Sequence, residues 1–247
     1  RCVIFIGPRG QWWEPFSPRG SHTVPTLGRG GIGFVIFLSL SLPFYGLAWL
    51  GWPVAAAFTL AGLAIAFIGL LDDARPLPVL PRILVHILAV TAAGWALRLQ
   101  FADPDALWLF AGMQGATAAV MLGLGWVWCV NLFNFMDGID GLATSESLFI
   151  CFALLALTAQ TSLEEHLPIM ILLACCWGFL VFNAFPAKIF MGDVGSMLIA
   201  GLIAVLSCSL LVKGLITPWC LLILLAIFAA DSTMTLLMRL LHKERVF

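Results

Sequence analysis

Five carboxylates sit at the ends of long apolar runs in this chain. Asp72 and Asp73 close one run in GLLDDARP, Asp137 and Asp140 close another in NLFNFMDGIDGLA, and Asp193 opens a third in PAKIFMGDVGS. The chain has only 13 acidic residues among 247, so this placement is selective. An ionised carboxylate at the edge of hydrocarbon is costly unless a cation or a donor answers it. All five offer hard oxygen donors and no Cys/His cluster accompanies them, which favours Mg²⁺, with Mn²⁺ as the alternative, over Zn²⁺. Mg²⁺ usually takes one or two carboxylates plus substrate phosphates, so the chemistry indicated is that of a phosphorylated ligand.

The surrounding residues sharpen this. Asn131, Asn134, Asp137 and Asp140 recur every three residues, which on a helix makes one winding polar stripe. Gly138 and Gly141 follow the two Asp and let the backbone turn or approach a ligand. A single Asp-Gly is an ordinary turn; a doubled one behind two Asn, inside apolar sequence, argues for a ligand. An EF-hand is excluded because Leu142 and Ala143 stand where ligands are needed. In 183–196, Pro186 ends the incoming helix. Lys188 offers a compact charge suited to phosphate. Asp193 precedes a new helix whose N–H groups can face an anion; an N-capping Asp is the equal alternative. In 69–82 the adjacent carboxylates repel, so one is left for a metal while its neighbour meets Arg75 or substrate. A solvated helix end is the plainer reading of that segment. The basic, Gly-rich stretch from Arg19 to Gly33 reads as an anion-binding loop or a flexible connector. Asp231, within an apolar run, is a functional candidate or is satisfied by Ser232, Thr233 or a neighbouring helix. His22, His86, His166 and His242 show no ligand spacing.

The elements that must position these residues are membrane helices. The chain is 62% hydrophobic and 10% charged, against about 25% charged in a soluble domain. A span needs about 20 apolar residues, and eight are predicted: 31–51, 53–71, 83–100, 107–133, 142–161, 166–185, 195–213 and 217–238. The fourth is long enough to tilt or to break near Gly123 and Gly125. Alternation of eight spans puts ten Lys and Arg on one side and two, Arg98 and Lys213, on the other. The basic side is then cytoplasmic, and all five carboxylates fall on it. The seven Cys form no CxxC pair and read as apolar helix residues. The predicted fold is all-α, a polytopic transmembrane bundle forming one integral-membrane domain over 1–247, with 1–30 a cytoplasmic loop. Nucleic acid is not an expected partner; the lipid bilayer is.

The pieces SHTVPT, GRGGIGF, GLLDDAR, NLFNFMDGIDGLA and FNAFPAKIFMGDVGS, in this order from about Ser21 onward, resemble the polyprenyl-phosphate N-acetylhexosamine-1-phosphate transferases of glycosyltransferase family 4. The spelling NFMDGIDG is more similar to the O-antigen-initiating branch than to the peptidoglycan enzyme. The resemblance implies transfer of a sugar 1-phosphate from a UDP-N-acetylhexosamine to polyprenyl (undecaprenyl) phosphate with release of UMP, in a bacterial inner membrane. It implies that Asp72 and Asp73 are the catalytic acidic pair, whose role is either metal binding or activation of the lipid phosphate. It implies that Asp193 is a Mg²⁺ ligand. Asn134, Asp137 and Asp140 match the uridine and diphosphate side, and Asn183 and Lys188 its polar flank.

Three departures accompany the resemblance. The family has more spans than eight, a His-rich loop should follow Phe247, and residues 1–20 do not match. A fragment lacking both ends, inactive by itself, is therefore expected. The rival readings are a transporter with cation-binding carboxylates and a non-catalytic fragment. The particular UDP-sugar is not encoded in these motifs, and a homodimer stays open.

Overall fold

A computed structural model describes residues 13–14, 26–36, 51–100 and 115–242. Strands β1 (Trp13–Glu14) and β2 (Thr26–Leu27) pair antiparallel. Seven helices follow: α1 (Trp52–Ala74), α2 (Val79–Gln100), α3 (Gly115–Met136), α4 (Leu142–Leu157), α5 (Leu163–Asn183), α6 (Asp193–Val212) and α7 (Pro218–Leu241). Among the described residues, apart from one short strand pair, the architecture is all-α.

Each helix grows from an apolar run with punctuation at its ends. Pro53 and Pro218 lie in the first turns of α1 and α7, where their missing N–H costs nothing. Thr217 caps α7, its hydroxyl accepting from the Cys220 N–H at 3.4 Å. Arg75, the residue before Pro76, is extended and ends α1. The predicted runs beginning at 53, 83, 142, 166, 195 and 217 are α1, α2 and α4–α7. The helices reach further than the apolar residues do: α1 continues through Asp72 and Asp73, and α6 begins on Asp193. The run predicted at 107–133 is one continuous helix from Gly115, without a break at Gly123 or Gly125. Gly123 instead lets α2 approach, since a Cβ there would stand 3.4 Å from Val90 Cγ1. The larger part of the run predicted at 31–51 lies outside the described residues.

Among the described residues, α1, α2 (over Val79–Ala96), α5 and α6 are long and apolar enough to cross a membrane. α7 is a fifth when its two bent halves are taken as one span. α4, at 16 residues, is shorter. α6 is the central post: it is buried from Val194 to Leu211, with only Leu202 and Cys208 partly exposed. α1, α3 and α4 pack on it, α2 packs on α1, and α5 packs on α4. Large apolar side chains such as Leu60, Phe67, Leu88, Trp177 and Ile223 face outward, as hydrocarbon surroundings allow.

The two ends of α6 are chemically distinct. Asp193 starts it, and its C-cap Lys213 pairs with Glu165 of α5, Nζ to Oε1 at 2.7 Å. Twenty helical residues separate these ends by about 30 Å, close to the thickness of a bilayer core. Ile139, 60% exposed beside Asp140, and Leu163, 69% exposed beside Glu165, mark the two levels. Ile139→Cys and Leu163→Cys should therefore react with an impermeant maleimide from opposite sides of the membrane. Labelling of both from one side would contradict this arrangement.

Candidate active site

Asp72 and Asp73 occupy the last turn of α1. Neighbours on a helix point about 100° apart, so the pair divides. Asp72 turns to the loop and α2: its Oδ1 accepts from the Leu77 N–H at 2.6 Å and its Oδ2 from Arg82 Nη1 at 2.5 Å. The short connection from α1 to α2 contains Pro76 and Pro78 and returns Arg82, in the first turn of α2, to Asp72. Asp73 turns to α6. Its Oδ1 accepts from the Asp193 N–H at 2.8 Å and its Oδ2 from the Val194 N–H at 3.2 Å.

That second pair of bonds caps α6 from a different helix. The residue at the N-cap position is Gly192, which has no side chain to do it. A carboxylate there meets both the orphan N–H groups and the positive end of the helix dipole. Gly192 has φ 76°, and a Cβ on it would lie 2.8 Å from Asp73 Oδ2. Glycine is required on both counts. Gly69 lets α1 and α6 approach at the same level, because a Cβ there would be 2.7 Å from the Asp193 carbonyl oxygen.

With its backbone held by Asp73, Asp193 presents its side chain to Asn134 and Arg82. Asn134 Nδ2 donates to Asp193 Oδ1 at 2.7 Å, and Ser196 Oγ lies 3.4 Å from the same amide nitrogen. Arg82 Nη1 stands 3.9 Å from Asp193 Oδ2. The Asp193 side chain is 31% exposed while that of Asp72 is 7% exposed, so the cluster opens to the outside through Asp193.

A strap from the N-terminal side covers this junction. The Phe190 N–H donates to the Leu27 carbonyl, and the Gly30 and Gly31 N–H groups donate to the Phe190 and Met191 carbonyls, each at 2.8 Å. Gly31 and Gly195 are in backbone contact, and a Cβ on either would clash. Between these bonds Arg29 takes φ 61°, a left-handed conformation that costs a non-glycine residue about 1–2 kcal/mol. Its Nη2 donates to the Asp73 carbonyl at 2.6 Å.

The remaining expected residues build the flank. Asp140 Oδ2 accepts from the Ala187 N–H at 2.9 Å, tying the α3–α4 turn to the loop before α6. Asn183 is buried: its Oδ1 accepts from the Thr144 hydroxyl at 2.9 Å and its Nδ2 donates to the Ile189 carbonyl at 3.1 Å. Lys188 on that loop is exposed. Asp137 is half-buried at the end of α3. Asn131 donates back to the Val127 carbonyl of its own helix at 2.7 Å. The structure thus joins Asp72, Asp73, Asn134 and Asp193 directly, places Asp140, Asn183 and Lys188 along the adjoining loop, and engages Asn131 elsewhere.

Two arginines change the sequence-based picture. Arg82, not Arg75, pairs with the acidic residues; Arg75 is exposed. The signal was the Pro-rich connection that folds position 82 back onto position 72. Arg29 reaches a backbone carbonyl at the same junction. Asp231 lies on the exposed face of α7 and is not served by Ser232, whose buried hydroxyl has no partner among the described residues. Among the described residues no three His, Cys, Asp or Glu side chains are arranged as a metal cage. The donors on offer, Asp193 Oδ2 with Asp72 behind it, form an open arrangement suited to a cation completed by ligand oxygens.

Asp73→Ala should leave two N–H groups at the start of α6 without an acceptor and cost about 1–2 kcal/mol. Asp73→Asn, which keeps one acceptor, should cost less. Thermal unfolding in detergent reads both, and an Asp73→Ala protein as stable as its parent would show that the cap carries no weight.

Residues 55–211 match the family model described as glycosyl transferase family 4. A probable undecaprenyl-phosphate N-acetylglucosaminyl 1-phosphate transferase of Bacillus subtilis is 30% identical over 77% of this chain and 54% of its own length. A decaprenyl-phosphate N-acetylglucosaminephosphotransferase of Mycobacterium tuberculosis is 30% identical over 76% of this chain and 51% of its own. A phospho-N-acetylmuramoyl-pentapeptide-transferase of Chlamydia pneumoniae is 28% identical over 91% and 70% respectively. The chain spans about half the length of the first two of these relatives. With the matched residues running from the first turns of α1 nearly to the end of α6, the chain belongs to glycosyl transferase family 4.

Proposed function

We propose that this site transfers N-acetylhexosamine 1-phosphate from a UDP-sugar to a polyprenyl phosphate, leaving a polyprenyl diphosphate-sugar and UMP. The observation that carries the reading is the cluster of Asp72, Asp193, Asn134 and Arg82 at one end of an apolar bundle, open through Asp193. Relatives described as polyprenyl-phosphate sugar-phosphate transferases support it. A long lipid can reach such a site from the bilayer while a water-soluble nucleotide-sugar reaches it from the aqueous phase. The excess of Lys and Arg expected at this end supports the reading of that phase as the bacterial cytoplasm. The O-antigen branch rests on the NFMDGIDG spelling alone.

Chemically, an oxygen of the lipid phosphate attacks the phosphorus that bears the sugar, and the bond to the oxygen bridging it to UMP breaks. The lipid phosphate has a second pKa of about 6, so it is largely dianionic at neutral pH and needs no strong base. Catalysis then rests on in-line positioning and on neutralising oxygens. Arg82 holds Asp72 in place and adds positive charge beside Asp193. Asn134 fixes the rotamer of Asp193, so that its other oxygen faces outward. Lys188, exposed on the adjoining loop, is placed to meet a phosphate. Asp73 acts on the backbone of α6 rather than on the reacting groups.

The donor set fits a divalent cation. Asp72, Asp73 and Asp193 together carry more formal negative charge than Arg82 and Arg29 answer, and hard oxygen donors are what Mg²⁺ takes. Asp193 and Asp72 would hold it, and when bound it would supply charge neutralisation and alignment of the diphosphate. A transporter would place its cation site near the bilayer midplane, whereas these carboxylates lie at one end of α1 and α6.

Protein expressed from its complete reading frame should release UMP from a UDP-N-acetylhexosamine only when polyprenyl phosphate and Mg²⁺ are both present. Asp193→Asn preserves size and removes charge, and should lower turnover at least about a hundredfold with folding intact. Near-normal turnover in that variant would remove Asp193 from the reaction.

A further inference from the structure

We propose that Arg29 is a positioning residue of this site, acting through Asp73 to hold Asp193 in place. In its effect on turnover the proposal rests on the transferase reading above; in its effect on α6 it does not.

Three observations meet at Arg29. Its guanidinium donates to the Asp73 carbonyl at 2.6 Å, at the end of α1 where the helix's own donors have run out. Asp73 in turn holds the Asp193 and Val194 N–H groups through its carboxylate. The guanidinium therefore fixes the backbone whose side chain fixes the start of α6. Second, Arg29 carries a positive φ of 61°. Glycine would take that conformation without strain, and Gly28, Gly30 and Gly31 surround it. A strained arginine among glycines points to the side chain as the reason. Third, the bonds from Leu27, Gly30 and Gly31 to Phe190 and Met191 anchor the strap on both sides of Arg29 independently of its side chain. A Cβ on Gly192 would be 3.3 Å from the Arg29 Cα, so the strap and the residue before Asp193 are in register. The chain of support runs from Arg29 to Asp73 to Asp193.

The test is Arg29→Gly, which accepts the backbone conformation and removes the side chain with its guanidinium. Hydrogen exchange is followed in detergent across 26–34 and 189–198. The Asp193 and Val194 amides should exchange at least about tenfold faster than in the parent, while the Gly30 and Gly31 amides stay protected. Turnover should fall at least about thirtyfold, the Mg²⁺ concentration for half-activation should rise, and methylguanidinium should restore part of the loss. Unchanged exchange at Asp193 and Val194 would overturn the proposal, as would turnover within about twofold of the parent. If Gly30 and Gly31 also lose protection, Arg29→Lys decides. It keeps the charge but not the fork, and it should loosen Asp193 and Val194 with the strap in place; parent-like exchange there would overturn the proposal. The parent and Asp193→Asn together keep the two readings apart. A parent that releases no UMP with both substrates and Mg²⁺ present would sink the transferase reading whatever Arg29 does, and normal turnover of Asp193→Asn would only remove Asp193 from the reaction. Loss of turnover in Asp193→Asn beside a parent-like Arg29→Gly would sink the positioning role alone.

Discussion

The Asp73 carboxylate bonded to the first two N–H groups of α6 is the joint on which this end of the molecule depends. It connects the last turn of one apolar helix to the first turn of the most buried one. Helix ends in an apolar bundle carry orphan donors that water cannot reach, so some side chain must meet them. Here the cap is supplied across 120 residues of sequence. Several small residues follow from that geometry. Gly69 allows the two helices to close, Gly192 leaves room for the carboxylate, and Gly31 and Gly195 allow the strap to lie over the joint. A side chain at any of these would separate what the carboxylate joins.

Fixing the backbone at Asp193 frees its side chain for another task. Asn134 takes one carboxylate oxygen, leaving the other toward Arg82 and the outside. Asp72 is more enclosed and is held by the Leu77 N–H and by Arg82. Three carboxylates gathered beside hydrocarbon repel one another and lose hydration, and Arg82 and Arg29 answer only part of that charge. The outcome is a region stiff in its backbone and electrostatically incomplete at its open side. On the proposed reading a cation and a phosphate-bearing ligand would complete it together. Two adjacent aspartates thus have different partners: Asp73 bonds the first N–H groups of α6, and Asp72 bonds the Leu77 N–H and Arg82.

Much of this was legible in the residues. The apolar runs fall where α1, α2 and α4–α7 form, because backbone groups in a bilayer must be satisfied within the segment. Helix ends were less so. α1 runs through Asp72 and Asp73 because its last turn is held from outside by Arg29 and α6 rather than by apolar burial. Gly123 and Gly125 suggested a break and instead lie in a continuous helix, Gly123 meeting Val90 of α2. Spacing alone placed Asn131 with Asn134, but only the latter faces α6; the former bonds its own helix. Arg82 counted only among the ten Lys and Arg of the basic side, and Arg29 belonged to a stretch that read as an anion-binding loop or a flexible connector. Their partners depend on how a Pro-rich turn and a Gly-rich strap fold back, and local sequence does not specify such long-range returns.

The central claim is that the cluster around Asp193 holds a divalent cation together with the diphosphate of a nucleotide-sugar. Crystals grown with Mn²⁺ and a UDP-N-acetylhexosamine test it directly through the anomalous scattering of manganese. The peak should lie within about 2.5 Å of an Asp193 carboxylate oxygen, with diphosphate oxygens completing its coordination and the Asp73 bonds to Asp193 and Val194 intact. A manganese peak remote from Asp193, or a diphosphate bound at the cluster with no metal beside it, would contradict the account.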